Sequence, residues 1–158
     1  MNRSVQLTSG HLLFDHARLR NLLDVFERSR NSALRTRVMR AALDLYYVHT
    51  WLEESLFPFG LPQFQNILSE KANRLESLEP ASALYYDCAF DFAKHLRGHM
   101  AEEERVFRAG ARLLSEPAPF DSEVLVQRRQ ILEDVSNLLR ASQAAQASSG
   151  TGGTSPSQ

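Results

Sequence analysis

Apolar residues recur along most of the chain at alternating steps of four and three, the period of helices that hide one face. The first stripe is Leu12, His16, Leu19, Leu23 and Phe26, and the second is Val38, Ala42, Leu45, His49, Leu52 and Leu56. The third is Phe64, Leu68, Lys71, Leu75 and Leu78; the fourth is Cys88, Phe92, His95, His99 and Val106, with Glu103 a turn beyond His99. Breakers place the helix ends. The first helix is predicted from about Ser9 to Arg30, and Asn31-Ser32 caps a second that stops at Pro58-Phe59-Gly60. Pro62 opens a third that ends before Pro80, and a fourth runs from about Ala81 to Leu114, ahead of Pro117 and Pro119. Asp121 or Ser122 caps a fifth that fades near Gln143. No stretch alternates with the period of two that a half-buried strand requires. The expectation is an all-α protein, an antiparallel four-helix bundle with an added C-terminal helix. One domain spans 1–143, with its core at 9–114 and the extra helix at 121–143. The tail, 144–158, is poor in apolar surface and reads as disordered.

Each stripe carries at least one basic side chain in an otherwise apolar seam. A lone buried histidine is commonly just a satisfied core residue, but these have company. His49 and Glu53 are four residues apart and share a helical face, and His99 and Glu103 repeat the spacing on the fourth helix. The two segments also align in register, His49 to Phe57 with His99 to Phe107, as an internal duplication of a helix pair would produce. An unpaired carboxylate facing an apolar interior costs several kcal/mol, so it must be paired, protonated or bound to a cation. A metal is the simplest compensation for converging imidazoles and carboxylates. Nitrogen and oxygen ligands without thiolate suit iron, manganese or zinc.

Composition trims the alternatives. The formal charge of −1 gives no general attraction to nucleic acid. The arginines at 18, 20, 28, 30, 35, 37 and 40 read as a solvated helix face. Cys88 is the single cysteine, which excludes an intrachain disulfide and a cysteine-rich zinc site. No apolar run approaches the ~20 residues that span a membrane, and no signal peptide is visible, so a cytoplasmic protein with no membrane partner is expected. No protease, phosphate-loop or Ser/His/Asp pattern is present, which favours a binding protein over an enzyme. Glu54, Glu102 and Glu104 are expected to face water, Glu54 with the option of supplying an extra oxygen ligand.

His49-Thr50-Trp51-Leu52-Glu53-Glu54-Ser55-Leu56-Phe57-Pro58 resembles the His-x-x-x-Glu-Glu signature of the hemerythrin-like cation-binding domains. His99 to Phe107 matches it as well, with Arg108 where proline is usual, and Asp15-His16-Ala17-Arg18-Leu19 is similar to the family's first-helix motif. The resemblance covers about 9–114. It implies iron, one or two ions, with His16 and His49 on one metal, His99 on the other, and Glu53 and Glu103 bridging. It also implies binding of dioxygen, sensing of iron, or repair of nitrosative damage, with a small diatomic molecule as partner. The third helix departs from the pattern, because Lys71 stands at a histidine position. A protonated lysine has donors only and cannot ligate. Lys71 can turn outward while His95 or Glu70 substitutes as ligand; its ammonium can take the second metal's place beside Glu103; or the site is a polar core without metal. In the first case two metals are expected, and in the second one, rising on Lys71→His. In the third the bundle is a metal-free scaffold for a protein partner or for self-association through the fifth helix.

Overall fold

In a computed structural model, residues 9–56, 62–108 and 122–149 are described. They form five helices and no strand: α1 Ser9–Arg28, α2 Ser32–Leu56, α3 Pro62–Glu76, α4 Ala83–Arg108 and α5 Ser122–Ser149. The protein is all-α, a helical bundle. Cross-helix pairs set its directions. His16 meets Glu103 while Asp24 meets Arg97, so α1 and α4 are antiparallel. Arg40 and Tyr47 of α2 both reach Glu76 of α3, and Lys71 of α3 reaches Asp91 of α4. α5 packs on both α1 and α2.

Local chemistry explains the ends. The Asn31 side-chain carbonyl accepts the Leu34 N–H at 2.9 Å, capping α2. Arg35, one turn on, donates to the Phe26 carbonyl at 3.1 Å and so satisfies part of the open end of α1. Pro62 sits in the first turn of α3, where its missing N–H costs nothing. The fourth helix begins later than expected. Ala81 adopts φ 65°, outside helical space, and Ser82 takes the cap, its hydroxyl accepting the Tyr85 N–H at 3.1 Å.

The interior follows the stripes of α1 and α2. Leu12, Leu19, Leu23, Phe26, Val38, Ala42, Leu45 and Leu52 are fully buried, each larger side chain contributing ~1.5–3 kcal/mol. On α3, Leu68 and Leu75 are buried, Leu78 half-buried. α4 needs a correction. Its seam is Tyr85, Ala89, Phe92, Leu96, His99 and Glu103, with Leu96 in place of His95, and Cys88 is half-buried at its edge. Both routes from Phe92 to His99 keep helical spacing, and the apolar side chain takes the interior. α5 continues through Ser149, beyond the expected fade at Gln143, although its buried residues end at Ser142. The side chains of Leu56 and Phe64, the breaker at 58–60, the expected end of α4 at Leu114 and the tail from 150 lie outside the described residues. No described helix is long and apolar enough to cross a membrane.

Candidate metal centre

Three helices deliver five side chains to one point in the core. His16 comes from α1, His49 and Glu53 from α2, and His99 and Glu103 from α4, all at most 2% exposed. One ligand atom each from His49, Glu53, His99 and Glu103 lies within 4.8 Å of the others. Two ligands each ~2.1 Å from one ion lie at most ~4.2 Å apart, so a shift of a few tenths of an ångström would bring these four around a single cation. The five residues expected to converge do so.

Glu103 is the hub. Its Oε2 lies 2.8 Å from His16 Nε2, 3.4 Å from His49 Nε2 and 3.5 Å from His99 Nε2. Burial alone would raise the Glu103 carboxyl, but His16 and His49, with the charge of His99, hold it well below the usual carboxylate range. Burial would lower the His49 imidazole, yet the Asp15 and Glu103 carboxylates outweigh it and raise the group to about 9. Glu53 is the opposite case. Burial pushes its carboxyl up, and the neighbouring Glu103 adds to the rise against the pull of His99. His99 Nε2 stands 3.5 Å from Glu53 Oε2, but among the described residues neither Glu53 oxygen has a hydrogen-bond partner. Buried polar atoms are almost always paired, so a carboxylate this poorly satisfied is the feature a cation would complete.

No protein-family model, curated protein or solved structure matches this chain.

The structure places the other candidates away from the cluster. Lys71 turns toward the surface of α3 and pairs with Asp91. His95, partly exposed, also turns to Asp91, its Nδ1 lying 3.3 Å from the carboxylate and 2.8 Å from the Asp91 carbonyl. Asp91 precedes His99 by about two helical turns, so neither Lys71 nor His95 reaches the site. Glu70 is exposed. So is Glu54, which lines a separate cleft with Tyr46, Thr50 and Trp51. Lys71 therefore does turn outward, but neither of its expected substitutes replaces it, and its ammonium does not sit beside Glu103.

Four contributors, in two pairs, were not foreseen. Glu104, expected in water, is largely covered and lies 3.0 Å from His16 Nδ1, with Arg20 on the same oxygen at 2.7 Å. Arg20, with His16 adding to it, holds the Glu104 carboxyl below its ordinary range. Asp15 is fully buried, its Oδ2 3.7 Å from His49 Nδ1, and Arg128 of α5 pairs with it at 2.5 Å. For Asp15 a signal existed: it is three residues after Leu12 and four before Leu19, on the buried face. Nothing in the spacing of α5 points to Arg128.

Proposed function

We propose that the chain is a hemerythrin-like metal-binding protein, holding iron between α2 and α4 and using it in the cytoplasm to bind or sense oxygen, nitric oxide or iron. His49, Glu53, His99 and Glu103 would hold the ion, with His16 next to them through Glu103. The observation that carries the reading is Glu53, a buried carboxylate with both oxygens lacking a hydrogen-bond partner among the described residues, facing an imidazole and a second carboxylate. A nitrogen and oxygen donor set of this kind suits iron, and would accept zinc or manganese. An iron ion so held would supply a Lewis-acidic, redox-active centre; the protein groups fix its ligands and keep bulk water out.

One observation favours a second reading. Three imidazoles already surround Glu103, so half of the cluster is compensated with no ion. On that reading the bundle is metal-free and serves as a module for a protein partner or a second copy of itself. Elemental analysis of protein purified without chelator decides between them. About one iron per chain is the expected result, and no bound metal after reconstitution with ferrous iron, zinc or manganese would leave the scaffold reading.

The position of Lys71 adds a prediction. Because its side chain ends at Asp91, a histidine there would also fall outside the cluster, so Lys71→His should leave the metal-to-chain ratio unchanged. A rise toward two ions per chain, measured on the same reconstituted samples, would show that α3 can turn this position inward.

A further inference from the structure

The geometry points to α5 as a working part of the metal centre: Arg128 is a positioning residue that holds Asp15 against the outer face of His49. The inference rests on the metal-binding reading for its consequence, but not for its geometry. Asp15 is 0% exposed and Arg128 11%, so their pairing is shielded from water and weakly screened. The guanidinium binds both carboxylate oxygens, at 2.5 Å to Oδ1 and 3.4 Å to Oδ2, and also donates to the His11 carbonyl at 3.4 Å. That fork fixes the plane of the carboxylate as a single contact could not.

Among the described residues His49 Nδ1 has no hydrogen-bond partner, and the Asp15 carboxylate oxygen stands 3.7 Å in front of it. Its other nitrogen, Nε2, faces Glu103 and the cluster. A carboxylate behind a ligating imidazole holds the proton on the outer nitrogen, fixes the ring plane and makes the inner nitrogen a better donor. Asp15 can do this only while it stays in place. The guanidinium paired with it comes from α5, the helix beyond the stretch that resembles hemerythrin-like domains. A buried ion pair adds little stability compared with an apolar pair of similar size, so placement is the effect to look for. Anything that lifts α5 from α1 and α2 would release Asp15 and weaken the site, which makes docking of this helix a means of regulating metal affinity.

The test uses the full chain, zinc as probe and a chromophoric chelator as competitor. Arg128→Gln leaves a buried carboxylate unpaired and could unfold the protein, so Asp15→Asn/Arg128→Gln, neutral at both positions, is measured beside it. The double variant should be folded by circular dichroism and bind zinc about ten- to a hundredfold more weakly, and Arg128→Lys should recover part of the loss. Leu75→Ala, which opens a cavity in the core at α3, away from α5, should lower the melting temperature without a comparable loss of affinity. A folded double variant with wild-type zinc affinity would overturn the inference. If wild type binds no zinc, the failure belongs to the metal reading, and the relay is read from the metal-free protein by ¹⁵N NMR. The His49 Nδ1 proton should then be slow to exchange in wild type and fast in the double variant. Equal exchange in both would overturn it.

Discussion

Replacing the two buried carboxylates one at a time is expected to move the stability of the metal-free protein in opposite directions, while each replacement abolishes metal binding. Glu103→Met removes the partner of three imidazoles, which stand 2.8, 3.4 and 3.5 Å from a single oxygen. His49, held protonated by its surroundings up to about 9, would become a buried cation without its nearer counter-ion. Breaking a buried pair on one side costs ~3–5 kcal/mol. Glu53→Met has the other sign. Among the described residues neither of its carboxylate oxygens has a hydrogen-bond partner, and burial already pushes the group toward its neutral form. An unbranched apolar side chain of similar length relieves that penalty and should stabilise the protein by ~1–3 kcal/mol. Urea unfolding in the presence of a chelator reads both, as displaced midpoints at similar slope. Destabilisation of similar size in both variants would mean that Glu53 is satisfied in solution by partners of its own, and would remove the main argument for a cation.

These contrasts define what was legible in the sequence. The four-three spacing located the buried faces of α1 and α2, because both helices bury a simple stripe against a common core. It failed on α4, where His95 and Leu96 both fit between Phe92 and His99, and spacing alone does not choose between them. His16, His49 and His99 were legible for the same reason as the core, each on a stripe committed to the interior, and Glu53 and Glu103 because each lies four residues from a histidine on the same helical face. Lys71 occupies a stripe position too, yet its flexible stem carries the ammonium to Asp91 at the surface. Position 71 also lies level with Asp91, about two helical turns from His99, so a shorter side chain there would still not reach the cluster. Asp15 and Glu104 were harder to see, because each lies next to a cluster residue at the margin of its stripe and is covered by a different helix. Arg128 was illegible. Its role depends on how α5 lies against α1, and the long separation of Arg128 from Asp15 leaves no local pattern.

Metal binding should stabilise the fold by an amount that grows with pH, because a proton and the ion compete for His49. In the metal-free protein the imidazole is raised from 6.5 to about 9. Its ion pairs therefore stabilise the fold fully below pH 6.5, and this contribution of roughly 3 kcal/mol fades as pH rises through about 9. Glu103 is depressed and gives the mirror image, a contribution present above the ordinary carboxylate range and lost as the solution becomes acid. A ligating His49 must first release its inner proton. The apparent affinity for zinc should thus rise about tenfold per unit between pH 7 and 9 and level off above that range. At a hundredfold excess over the dissociation constant the ion adds ~2.7 kcal/mol, which for a chain of 158 residues corresponds to a melting shift of roughly 5–11 °C. Melting curves with zinc and with chelator, taken at half-unit steps from pH 6 to 9 at fixed total metal, should diverge: the chelated series falls with pH while the gap to the zinc series widens. A gap of constant size would place the competing proton on some group other than His49. Coincident curves at every pH would show that the ion does not engage the folded core, and that three imidazoles are sufficient partners for Glu103.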